Sequence, residues 1–340
     1  IYTNTATEFG RNALVTWLMD RETAGDGSTD TWTFSNMNFK IARFSRVTWK
    51  AGPNVTSGIP TVEVQTPPNH SESDRFREYE FQADGVTVNM NGIQGGSGRQ
   101  RIWVFSGNTT DNTIYGKIDE TSNPSSFIKR GTGKWTVTHP DNDYNGFTEV
   151  EEGILEIGGA GRLDGGVYSG DLLLNGGSLR FNSSAAQVFS GTASGAGELS
   201  VATTSLSIAN PDSLSPFGTL TLETGSTIDL DYAGAAAVLN LNIGGVGQGA
   251  GLYGHSSTGA DNGGAGVGAF DTFFTANTGT INNGAGTPVN IFLWDGGSSD
   301  IAGNGDLSSD GGAGTWDATI KNWDVGPAPF AAWGNTTDAR

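Results

Sequence analysis

From residue 131 onward the chain repeats one short theme: a glycine, a run of alternating apolar and polar residues, then another glycine or an asparagine. "GKWTVT", "GILEIGG", "GDLLLNGGSLRF", "GELSVA", "GTLTLETGSTIDLDY" and "AVLNLNIGG" follow one another in that order. Alternation at period two sends one set of side chains inward and its neighbours to water. The units recur every ten to twenty residues or so, too closely for crossover helices. Strands that recur in this way coil best as a solenoid, whose inward Leu, Ile and Val form continuous columns at about 4.8 Å spacing. The expected fold is therefore all-β, a parallel β-helix or β-solenoid.

Composition agrees with short strands and many turns. Glycine supplies 53 of 340 residues, and charged residues only 16%. Glycine enters positive φ without steric cost, which suits tight corners and suits helices badly. "TWTFSNMNFKIARFSRVTW", "TVEVQT", "REYEFQADGVTVNMNGI" and "RIWVFSG" extend strand-like pieces through residues 31–107, whereas "ALVTWLMD" (13–20) fits a helix or a strand equally. Aromatics are dense in residues 31–130, which leaves a β-sandwich-like N-terminal region open there. The expected organisation is an N-terminal extension with a candidate assembly strand (1–30), an N-terminal β region or capping rungs (31–130), solenoid repeats (131–290) and a Trp/Asp/Gly-rich cap or assembly segment (291–340).

Charge and cysteine narrow the chemistry. The chain has no cysteine, so disulfides, thiolate nucleophiles and zinc-thiolate sites are ruled out. Its net charge of −18 is uneven: residues 1–130 hold 13 Lys+Arg against 14 Asp+Glu, and residues 131–340 hold 5 against 22. An acidic body repels nucleic acid and anionic membranes, so neither is an expected partner. No apolar run reaches membrane-spanning length, so membrane insertion is not expected. The first residue is Ile1 rather than Met and the last is Arg340, which reads as processing or truncation of a longer product.

Three places invite a functional reading. The turn "HPDNDYNG" with its flanks gathers His139, Asp141, Asp143, Glu149, Glu151 and Glu152, with Lys134 in the strand before it. Enzymes that cut acidic polysaccharides gather carboxylates with a base on one solenoid face. Pro, Asn, Asp and Gly are also turn formers, and the turn reading is preferred. The loop "DGGSSDIAGNGDLSSDGG" carries Asp295, Asp300, Asn304, Asp306 and Asp310, oxygen ligands of the kind calcium takes, although their spacing matches neither an EF-hand nor a nonapeptide calcium repeat. Trp294, Trp316, Trp323, Phe330 and Trp333 would offer a sugar platform or plug an open solenoid end, the plug being preferred. No nucleophile elbow, Walker loop or dinucleotide fingerprint occurs. For the loop that carries Asp295 a merely hydrated state is the preferred reading, with a weak calcium site as the alternative, and no catalytic residue or other cofactor is expected.

"GTGKWTV", "NDYNG", "TEV" and "GILEIGG" also stand in an order that resembles the autotransporter-associated β-strand repeat of secreted bacterial passenger proteins. The likeness continues through 158–199, 218–260 and 311–338, and covers roughly residues 101–340, about seventy per cent of the chain. The carboxy-terminal membrane barrel of a complete autotransporter is not among these residues. The resemblance implies a secreted β-helical body without an active site of its own. The sequence thus leads to a secreted structural solenoid of the bacterial surface that self-associates into a fibre, with Ile1, Tyr2, Trp316, Trp323 and Trp333 as assembly residues. The alternatives are an adhesin that binds a glycan or another cell and, less favoured, a polysaccharide-degrading enzyme.

Overall fold

The computed structural model describes residues 7–9, 14–20, 31–34, 39–41, 45–55, 58–65, 69–70, 77–94, 101–120, 124–203, 205–214, 217–284, 293–294 and 323–324. Two units are resolved by contact, 1–285 and 286–340. Only the strands Leu293–Trp294 and Trp323–Asp324 are described in the second. They pair antiparallel, with Trp294 opposite Trp323.

The first unit is a parallel β-solenoid. Its eight-stranded sheet runs through Leu14–Met19, Ser45–Ala51, Arg77–Asp84, Arg101–Gly107, Ser125–Lys129, Thr148–Val150, Leu172–Leu174 and Ala193–Ser194, every neighbour parallel. A thirteen-stranded sheet reaches from Thr31–Phe34 to Gly279–Asn283 and Gly251–Tyr253. Five- and four-stranded sheets form the remaining sides. Consecutive strands fall in different sheets: Ile118–Asp119, Ser125–Lys129 and Lys134–Val137 belong to three of them. Each turn therefore adds one strand to each side it visits, which is what joins parallel strands without crossover helices.

Register turns the sequence alternation into columns. Trp135, Leu155, Leu179, Leu199, Leu220 and Leu241 lie opposite one another in successive rungs, all buried. Between them and the next buried column, Thr136, Glu156, Arg180, Ser200, Thr221 and Asn242 form the alternate row, also in register. Burying each large aliphatic side chain contributes about 1.5–3 kcal/mol, and the adjacent rungs provide part of that burial. An aromatic column runs Trp49, Phe81, Phe105, Phe127, Tyr144, Tyr168, Phe189, with successive ring centroids 4.7–6.3 Å apart. Such pairs add about 0.5–1.5 kcal/mol beyond their buried area.

The structure settles two points that the sequence left open. Residues 13–20 contain a strand, Leu14–Met19. The described strands of 31–130 are rungs rather than a sandwich. Sandwiches pack antiparallel sheets, whereas these strands pair in parallel, and the eight- and thirteen-stranded sheets among them continue past residue 131.

Corners are clamped by buried amides. Asn112 Oδ1 accepts from Val88 N at 2.9 Å, and its Nδ2 donates to Lys134 O at 3.0 Å. On another side of the coil Asn142 Oδ1 accepts from Ile118 N at 2.9 Å while Nδ2 donates to Arg162 O at 2.9 Å. Each side chain thus joins the rung before it to the rung after it, and supplies bonds where strand ladders stop. Gln187 binds Leu163 through the same two backbone groups.

The regular coil is interrupted once among the described residues. After the long strand Gly234–Ile243 the chain leaves the parallel coil: Val246–Gly247 folds back antiparallel on that strand, Gly251–Tyr253 lies antiparallel to Gly279–Asn283, and 3-10 turns at Ser256–Thr258 and Asn262–Gly264 lead to Phe274, which bridges Ile228. Asn262 organises this excursion from inside, accepting from Gly254 N at 3.0 Å and donating to Gly266 O at 3.0 Å.

The clamp makes a testable claim. Asn142→Ala orphans a buried amide and removes a partner from a carbonyl, so it should cost roughly 2–4 kcal/mol in urea unfolding. Asp141→Asn, next door but 72% exposed, should change stability by less than about 0.5 kcal/mol.

Candidate functional site

The acidic turn holds its carboxylates in separate pairings. Asp143 accepts from Lys117 Nζ at 2.6 Å and from Glu120 N at 2.6 Å. Glu149 accepts from Asn175 at 2.7 Å, Glu151 pairs with Arg130 at 3.0 Å, and Lys134 stands 3.6 Å from Glu156. His139 Nδ1 accepts from Asp141 N at 3.1 Å, and Asp141 lies 3.8 Å from Arg162. Glu152 is exposed. Two members of the turn face inward, Asn142 as a clamp and Tyr144 in the aromatic column, where burial pushes its phenol well above the usual range. Burial likewise raises Glu120 and Asp164. Among the described residues no three His, Cys, Asp or Glu side chains are grouped to hold a metal.

Other expected sites fall beyond what is described. Asp295, Asp300, Asn304, Asp306 and Asp310 lie outside the described residues, as do Ile1, Tyr2, Trp316, Phe330 and Trp333. Trp294 and Trp323 are described in backbone only.

A groove of about 390 Å³ lies on the eight-stranded sheet instead. It is built from outward positions of neighbouring rungs. Ser45–Ala51 supplies Arg46, Arg77–Asp84 supplies Glu80, Gln82 and Asp84, and Arg101–Gly107 supplies Ser106. Arg130 and Glu152 line it from the following turns. Every described lining residue is polar or glycine. Arg46 Nε donates to Glu80 at 2.6 Å, and Ser106 Oγ donates to the other Glu80 oxygen at 2.6 Å. Arg130 bridges Glu78 and Glu151, and so spans the Arg101–Gly107 strand that lies between. Asn108 donates to Asp84 at 2.9 Å, and Lys50 stands 3.6 Å from the same carboxylate. The charges of Arg46, Glu80, Asp84 and Arg130 are therefore compensated within the protein.

Beneath one wall sits a buried cation. Lys129 is fully buried, and its ammonium donates to the carbonyls of Arg130 at 2.7 Å, Gly131 at 2.5 Å and Glu152 at 3.1 Å. It thereby fixes the backbone of three residues that line the groove. Burial pulls its pKa down from 10.5 to about 8, only partly offset by the charge of Glu152.

Sequence reading missed this groove. Its residues are 34 apart where Arg46 meets Glu80, and 52 apart where Arg130 meets Glu78. The available signal was opposite charge at outward positions of "RVTWK" and "EYEFQAD", which becomes legible only once the register is known.

With this geometry in view, comparison with known proteins gives one relevant likeness. The chain is 28% identical over 229 residues to the adhesin BmaC autotransporter of Brucella suis biovar 1 (strain 1330), covering 65% of this chain. The chain corresponds to only 6% of that protein's length. No family model matches the chain, and no solved structure matches it. Likeness and solenoid together fit an autotransporter-passenger-like protein.

Two measurements probe the site's framework. Gly107 floors the groove at φ 111°, and a Cβ there would drive into the carbonyl of Ala83. Gly107→Ala should cost roughly 3 kcal/mol, against about 1 kcal/mol for Gly225→Ala, which shares positive φ (87°) but has open space around it. For Lys129, between pH 8 and 10.5 the unfolded chain holds a proton that the folded chain has released. Stability should therefore rise with pH across that window. Urea midpoints taken from pH 8 to 9, below the range where the phenols of the unfolded chain ionise, should show the rise in the native protein and a flat line in Lys129→Met.

Proposed function

We propose that this chain is part of a secreted passenger presented at a bacterial surface, where it acts as an adhesin. The observation that carries the reading is a likeness to an autotransporter adhesin over 229 residues of a chain that folds as a parallel solenoid. The physical character of the body agrees. A trunk of stacked rungs holds an extended polar surface rigidly, and such surfaces serve as binding faces in repeat proteins. Its outward rows are hydrogen-bonded and ion-paired ladders: Arg180 joins Glu156 at 2.5 Å to Glu223 at 2.7 Å on the thirteen-stranded sheet. No helix among the described residues is long and apolar enough to cross a membrane.

The fibre-subunit reading has no comparable support: of the residues assigned to assembly, Ile1, Tyr2, Trp316 and Trp333 lie outside the described residues, and Trp323 is described in backbone only. The proposed role is binding rather than catalysis, in keeping with a relative that is named an adhesin.

Labelled chain applied to epithelial monolayers tests the reading. Saturable attachment that unlabelled chain displaces is the expected result. Attachment no greater than that of an unrelated β-solenoid removes it.

A further inference from the structure

We propose that the groove on the eight-stranded sheet binds a neutral glycan, and that this contact gives the adhesin-like body its attachment; the proposal rests on the reading above. Three features of the groove lead to this ligand class.

The first is that no lining residue among those described is of an apolar type. Pockets for ordinary small molecules and the cores of protein interfaces are largely apolar. This groove offers carboxylates, guanidinium groups, amides and a hydroxyl over glycine. A ligand that is itself a dense array of hydroxyls matches that surface.

The second is charge compensation. An anionic ligand would meet Glu80, Asp84 and Glu152 on a chain of net charge −18. A cationic ligand would have to compete with Arg46 for Glu80 and with Lys50 for Asp84, which leaves it Glu152 alone. A neutral hydroxyl breaks no ion pair. It replaces water, donating to a carboxylate and accepting from a guanidinium at once. Capacity for this remains: Arg46 engages Glu80 through Nε, and a guanidinium carries five N–H donors in all. Arg46 is also 46% exposed, so its outer donors reach solvent.

The third is rigidity and direction. Gln82 lies opposite Ser106, and Arg130 N bonds Phe105 O in the next rung, so Gln82, Ser106 and Arg130 form a row that crosses the strands. A linear oligosaccharide laid along that row meets one rung after another. Strand-borne side chains and the Lys129 cage hold the row in place before the ligand arrives, which lowers the ordering cost of binding.

The test is an array of neutral, sialylated and sulfated oligosaccharides probed with the native chain, Gln82→Leu and Glu152→Leu, alongside epithelial attachment by the same three proteins. Neutral oligosaccharides should bind, with little dependence on salt, and each substitution should weaken binding about tenfold and lower attachment in parallel. Unchanged urea midpoints establish that the variants fold. Should Gln82→Leu not fold, Gln82→Glu keeps the size, adds a charge and should lose binding equally. Binding confined to charged glycans, or neutral binding that survives both substitutions, overturns the proposal. Attachment to cells without any glycan binding overturns it too and leaves the adhesin reading standing. Glycan binding without cell attachment supports the groove and removes the adhesin reading.

Discussion

Parallel stacking in register is the constraint from which the rest follows. In a solenoid the neighbour of each side chain is its counterpart one turn away, at the spacing of hydrogen-bonded strands. Apolar positions must then fall under apolar positions, as Trp135, Leu155, Leu179 and Leu199 do. Outward charges must be answered rather than repeated, because like charges directly opposite repel. Glu156 meets Arg180, and Arg46 meets Glu80. Where the ladder turns a corner, Asn112 and Asn142 stand in for the strand partner. A strongly acidic chain can fold this way because its few basic residues sit between carboxylates of adjacent turns. Arg180 is the clearest case, and its two-pronged contact with Glu223 holds that carboxyl below its usual range.

Much of the trunk was legible from the alternation and its glycine punctuation. "GILEIGG" and "GSLRF" read as strands, and they are strands whose Leu155 and Leu179 face each other. The turn reading of "HPDNDYNG" was sound in kind, yet it overlooked that Asn142 and Tyr144 point inward, because composition marks a turn without saying which members face the core. The first hundred residues were harder. Their strands are longer and their aromatics frequent, and nothing in the local pattern separates a rung from a sandwich strand. Only long-range pairing does so, such as Val47 with Phe81 and Phe81 with Phe105. The groove was illegible for the same reason. It is made of outward residues that are ordinary in their own strands and significant only side by side.

The groove and its support also divide labour in a way common in binding proteins. Groups that face solvent, such as Arg46, Asp84 and Glu152, lie on backbone whose position is set from inside by Gly107 and by the Lys129 cage. A buried ammonium held by carbonyls is less stable than a well-packed apolar residue, since desolvation of the charge opposes folding. Lys129 thus fixes wall geometry at a cost to trunk stability.

The excursion after Gly234–Ile243 carries a wider implication. The chain departs from the parallel coil for some thirty residues, pairing antiparallel at Val246–Gly247 and Gly251–Tyr253, folds around Asn262, and rejoins at Phe274 with Gly279–Asn283 back in parallel register against Gly234–Val238. Closing such a detour costs an entropy that grows only slowly with its length. The trunk therefore works like a spindle onto which decorations of varied size can be threaded between turns, and a lineage can remodel what its surface displays while leaving the spindle untouched.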